Sequence, residues 1–163
     1  MIRIGILGDI GSGKSYVAKI LRYPVFNADA EVSKLYQKDK KIFIKLNKIL
    51  PKYFYEFPIN KAEVSKAILA NENNLKKIVK IIHVEVRKKM NIFLKKNRSK
   101  RVIVLDIPLL LENKINKKND ILVFVESKKK DIYKRLKKRD NFNKILLGKF
   151  KNLQLPIDYK KKK

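Results

Sequence analysis

Residues 8 to 15 read GDIGSGKS and fit the pattern G-x-x-x-x-G-K-[ST], with Gly8, Gly13, Lys14 and Ser15 at the fixed positions. Each residue type has a chemical reason to be there. Glycines let the backbone turn so that several N–H groups point inward, where they hold phosphate oxygens. A helix opening at the end of such a loop adds the positive end of its dipole. The lysine reaches the β- and γ-phosphates of a nucleotide, and the serine hydroxyl ligates Mg²⁺. The stretch predicts a triphosphate cradle lined by Gly8, Asp9, Ile10, Gly11, Ser12, Gly13, Lys14, Ser15 and Tyr16. A chance glycine turn would not need a strand before it and a helix after it, and both are readable here.

Other residues could serve a bound phosphate. Asp106 ends the apolar run VIVLD. In a parallel sheet, ligands sit beyond the carboxyl ends of the strands, so Asp106 is expected to hold a magnesium shell or to cap the next turn. Asp29 ends VFNAD and is either a proton acceptor for a substrate hydroxyl or the N-cap of a helix over 30–37. Arg135 and Arg139 lie four apart in KRLKKRD. They could clamp a transferring phosphoryl group from a lid, or form a solvated basic face. His83 flanks the apolar stripe of a long helix with Arg87 one turn on, which suits a structural histidine.

The elements that must position these residues follow from the apolar pattern. IRIGIL (2–7), VFNAD (25–29), RVIVLDIP (101–108) and DILVFVE (120–126) are short apolar runs of the kind buried in parallel sheets. Helices are expected after the glycine loop, over roughly 30–50, from Lys61 behind an Asn60/Glu63 capping box, from Asn71 to about Lys96, and over SKKKDIYKRLKKRD. The long one has Leu75, Ile78, Val79, Ile82, Val86, Met90 and Phe93 on one face. The order predicts an α/β fold, a parallel sheet of about four strands flanked by helices. The terminal KKKK is expected to fray.

Composition narrows the rest. Of 163 residues, 45% are hydrophobic, enough for a folded domain with a real core. There is no cysteine and one histidine, which excludes disulfides and thiolate metal sites. The N-terminal apolar run is too short for a signal peptide, and no run is long enough to span a membrane; a cytoplasmic protein is expected. The net charge of +27 invites a nucleic-acid reading. Yet the lysines are spread over nearly every segment and only seven of the 42 basic residues are Arg, which reads as chain-wide bias rather than a built patch.

The succession GILGDIGSGKS, FNAD, IIHVEVR, LDIPLLLE, KRLKKRD and LQLP resembles the dephospho-CoA kinase family from Ile4 to about Lys160. The phosphate loop is common to all nucleotide kinases; DIPLLLE together with IIHVEVR is far more specific. The resemblance implies a P-loop kinase fold with ATP and Mg²⁺, phosphorylating the ribose 3′-hydroxyl of dephospho-coenzyme A. It implies a core of 1–37 and 101–163 with a lid near 128–145, and a helical acceptor-binding insertion over 38–100, all one compact unit. Asp29 matches the second acid of the family's D-A-D motif and becomes the base. Lys14 and Arg139 join it as catalytic residues, and Arg135 as a phosphate ligand. Asp106 and Ser15 fall to the metal, and His83, Arg87, Pro108, Leu109 and Asp29 to the acceptor. A monomer or weak homo-oligomer is expected, with neither a membrane nor a specific nucleic acid as partner.

Several positions depart from the family pattern. Asn27 replaces the first acid of D-A-D, Asp9 stands where glycine is usual, and Val84 replaces the proline after the histidine. The family's last strand and helix are expected to be missing after LQLP, which would leave 121–125 as a sheet edge. The competing expectations are a kinase for another small alcohol or nucleoside, a truncated inactive remnant, and a basic nucleic-acid-binding P-loop protein.

Overall fold

The computed structural model describes residues 1–139 and 142–163. Part of the expected lid, residues 140 and 141, lies outside the described residues. By contact, the chain divides into two compact units, Met1–Ala28 with Phe93–Lys163, and Asp29–Ile92. The helix after the second strand belongs with the helical unit, and the end of the long helix belongs with the sheet.

The first unit holds four strands: β1 (Ile2–Gly8), β2 (Val25–Asn27), β3 (Val102–Asp106) and β4 (Ile121–Val125). They form one sheet in the order β2-β3-β1-β4. All three pairings are parallel, with Ile4 opposite Val104 and Ile121, and Asn27 opposite Asp106. From β1 the chain crosses to one side, and from β3 to the other. The reversal leaves a crevice at the carboxyl ends of β1 and β3, where ligands of such sheets sit. β2 stops at Asn27, two residues earlier than VFNAD suggested.

Helix α1 (Lys14–Ile20) packs on one face of the sheet. Ile6, Ala18 and Val104 are fully buried there, with Ile4, Leu21, Val25, Val123 and Val125 around them. Burial of these branched side chains is worth about 1.5–3 kcal/mol each and is why the strands read as continuous apolar runs. At Gly5, a Cβ would come within 2.5 Å of Leu110, so the glycine lets the turn after β3 close onto β1.

The unit continues with α6 (Lys129–Lys137), α7 (Lys144–Lys151) and α8 (Ile157–Lys161). The lysine tail does not simply fray. Lys160 is buried and pairs with Glu112 at 2.7 Å, while Glu112 also accepts the Leu155 N–H. Lys161 pairs with Glu126.

The second unit holds α2 (Ala28–Lys38), α3 (Lys40–Ile49), α4 (Lys61–Ala70) and most of α5 (Glu72–Lys96). The helical patterns expected over roughly 30–50 resolve into α2 and α3, separated where Asp39 takes an extended conformation and caps α3 through Lys41 N–H and Ile42 N–H. Asn60 caps α4 as its type predicts, accepting from Ala62 N–H, but Glu63 bonds Lys66 and does not reach back to Asn60 in a capping box. Leu75, Ile78 and Ile82 of α5 are buried, with Val79 and Val86 partly so. Phe93, beyond the unit boundary, meets Phe26 of β2 with ring centroids 5.6 Å apart. Among the described residues, no helix is long and apolar enough to cross a membrane.

Candidate active site

The loop after β1 turns on three glycines with positive φ: Gly8 at 146°, Gly11 at 84° and Gly13 at 99°. Each φ lies where a side chain is strained. At Gly8, a Cβ would also meet Ser12 Oγ and Val125 O, both at 2.6 Å. Ser12 Oγ is buried and has no hydrogen-bond partner among the described residues. A buried orphan hydroxyl inside a ring of glycines suits a ligand rich in acceptors, as a phosphate chain is. Lys14, the first residue of α1, is buried, and its Nζ donates to Gly8 O at 3.2 Å and Asp9 O at 2.7 Å. Ser15 and Tyr16 follow it, both exposed.

The back of the loop is braced by α6. Arg135 Nη1 donates to Gly11 O, Ser12 O and Ser127 Oγ, and Ser127 Oγ donates to Ser12 O. Ile132 and Leu136 press against Gly11, where a Cβ would come within 3.2 and 3.0 Å of them. Arg135, expected on phosphate, thus holds the carbonyls of the cradle. Arg139 lies beyond α6 with an exposed side chain.

Across the crevice, Asp106 ends β3 and is buried. Asn27 Nδ2 donates to Asp106 Oδ2 at 2.5 Å and to Ser15 Oγ at 3.4 Å. The end of β2, the end of β3 and the start of α1 are thereby brought together through side chains. Their oxygens, a hydroxyl and a carboxylate, are hard donors of the kind Mg²⁺ takes. Asn27 entered the sequence analysis only as a lost acid, and its bridging role was missed. Its partners lie 12 and 79 residues away, so no local pattern could have signalled them.

Asp29 lies two residues beyond Asn27 in the first turn of α2, with its side chain exposed. α2 begins at Ala28, so Asp29 is not its N-cap. Pro108 and Leu109 open the turn after β3, which Leu110 anchors in the core. In the helical unit, His83 and Arg87 lie one turn apart on α5. Burial, then the Arg87 charge, hold the His83 pKa below its ordinary value, so the ring favours its neutral form.

A four-stranded parallel sheet with its glycine loop at the topological switch, a lysine in the loop and an acid on the neighbouring strand defines the class of P-loop kinases. The CoaE family profile, dephospho-CoA kinase, matches residues 2–163. The chain belongs to the dephospho-CoA kinase family. It is similar to the dephospho-CoA kinase of Wolbachia pipientis wMel, at 34% identity over 98% of this chain and 84% of that protein. The dephospho-CoA kinase of Wolbachia sp. subsp. Brugia malayi (strain TRS) is 32% identical over 97% and 83%. The crystal structure of TT1252 from Thermus thermophilus matches with a TM-score of 0.78 at 25% identity, covering 99% of this chain and 84% of that one.

Proposed function

We propose that the chain transfers the γ-phosphoryl group of ATP to the ribose 3′-hydroxyl of dephospho-coenzyme A, the last step of coenzyme A biosynthesis. Membership of the dephospho-CoA kinase family supports the ATP-dependent phosphorylation of dephospho-coenzyme A. The observation that carries the site is the meeting of Ser15, Asn27 and Asp106 beside the glycine cradle.

The residues divide the work as follows. The loop N–H groups and Ser12 Oγ bind the phosphate chain, and α1 adds its positive end. Lys14 leaves the carbonyls of Gly8 and Asp9 to meet the β- and γ-phosphates. Ser15 and Asp106 would hold Mg²⁺, which would supply positive charge for phosphoryl transfer. Arg139 neutralises charge on the transferring group, and Arg135 keeps the cradle in shape. Asp29 takes the proton of the attacking hydroxyl. His83, Arg87, Pro108 and Leu109 bind the acceptor. Little covalent chemistry falls to the protein, so positioning and electrostatics carry the rate.

The test is ADP release with dephospho-coenzyme A as acceptor, and with adenosine and uridine as controls. Turnover is expected with dephospho-coenzyme A alone, and Asp29→Asn should lower kcat by about 10²–10⁴-fold while ATP still binds. Equal turnover of adenosine or uridine would move the chain to another kinase specificity. ATP binding without any turnover would defeat the transferase assignment.

A further inference from the structure

Asp9 is a carboxylate inside a phosphate-binding loop. Its main-chain oxygen accepts from Lys14 Nζ and, at 3.2 Å, from Ser12 N–H. Its side chain is mostly buried, and a negative charge held there opposes a triphosphate arriving at the neighbouring N–H groups. The structure gives the carboxylate two engagements. Oδ1 accepts the Ile10 N–H at 2.7 Å, and Oδ2 lies 3.6 Å from Nζ of Lys151, the last residue of α7. The 142-residue separation makes the ion pair a purely tertiary contact.

We propose that Lys151 is a positioning residue for nucleotide binding: it neutralises Asp9 and holds its carboxylate aside, so that the cradle accepts a triphosphate despite its internal acid. This rests on the cradle binding ATP, as proposed above. The pair also ties α7 to the loop, so the cradle is braced from two helices, by Arg135 of α6 and by Lys151 of α7. Lys151 keeps about half of its side chain in solvent, so the pair is sensitive to salt.

ATP binding by calorimetry, without acceptor, separates this inference from the choice of substrate. Lys151→Gln should weaken ATP binding by about 3- to 10-fold at low salt, and less as salt rises. Lys151→Arg should restore it. In turnover, KM for ATP should rise while kcat holds within about 2-fold, because an interaction felt equally in the ground and transition states alters KM alone. The deciding measurement is the double-mutant cycle with Asp9→Gly, in which Lys151→Gln should have no further effect once the carboxylate is gone. An equal loss in both backgrounds would mean that Lys151 acts on the nucleotide or the fold directly, and would overturn the proposal. So would unchanged binding in Lys151→Gln. Absence of ATP binding in the unsubstituted chain would instead overturn the cradle assignment itself, and this proposal with it.

Discussion

The side-chain amide of Asn27 donates to the buried carboxylate of Asp106 at 2.5 Å, joining the ends of the two strands that flank the crevice on one side. An amide at this position satisfies Asp106 without any cation. Asn27→Asp would replace the donor with a second carboxylate, and two carboxylates in contact disfavour joint ionisation. The variant is expected to lose about 1–3 kcal/mol of stability in metal-free buffer, and to recover part of it with Mg²⁺. Thermal melts with and without Mg²⁺ check this; equal destabilisation in both would show that no cation is shared by the pair.

The Lys160–Glu112 pair is buried on both sides, and Glu112 Oε2 has no hydrogen-bond partner among the described residues. Removing one partner from such a pair leaves an uncompensated buried charge. Lys160→Met should cost about 3–5 kcal/mol in denaturant unfolding. Adding Glu112→Gln should recover much of it, since the amide oxygen can still accept the Leu155 N–H and the buried charge is gone. A loss under 1 kcal/mol in the single variant would mean that α8 is not anchored there.

His83 is the only histidine, so its ring protons give an isolated NMR titration. Burial and Arg87 lower its folded pKa, so its midpoint should fall below the ordinary value of about 6.5. The unfolded chain then takes up the proton more readily than the folded one. This contribution to stability is complete above the unfolded pKa and is lost as pH falls through the folded one. Arg87→Ala should raise the midpoint only partway, because burial is the larger cause. A midpoint at or above 6.5 would contradict the placement of the ring.

Two glycines offer opposite outcomes. Gly8→Ala forces a side chain into positive φ and against Ser12 Oγ and Val125 O, so it should cost about 1–3 kcal/mol or more and weaken ATP binding. Gly148 sits inside α7 with nothing within 4 Å of a new Cβ. Gly148→Ala should stabilise the chain by about 0.4–1 kcal/mol. Thermal melts of the two variants, with calorimetry for Gly8→Ala, decide between these expectations and a uniform glycine effect.

How much was legible in the sequence depended on how local the cause was. The cradle is written in eight consecutive residues, because its geometry comes from glycine φ angles and a helix start. The four strands were readable because a parallel sheet buried on both faces demands continuous apolar runs. The core face of α5 was readable because Leu75, Ile78 and Ile82 recur at helical spacing. The break at Asp39 was signalled weakly, by an N-cap type between two lysines, and the helical pattern on either side hid it.

What the sequence by itself determined, then, was the phosphate chemistry, the strands and the family pattern that names the acceptor. Only the tertiary structure decided which polar side chains meet. Asn27 meets Asp106, Lys151 meets Asp9 and Lys160 meets Glu112 across separations of 79, 142 and 48 residues. Lysine is so abundant here that its position in the chain predicts nothing about which carboxylate it will meet. Distance after folding selects the partner, because water and salt screen Coulomb attraction beyond about 8–10 Å, and only groups that the packed elements bring closer interact strongly.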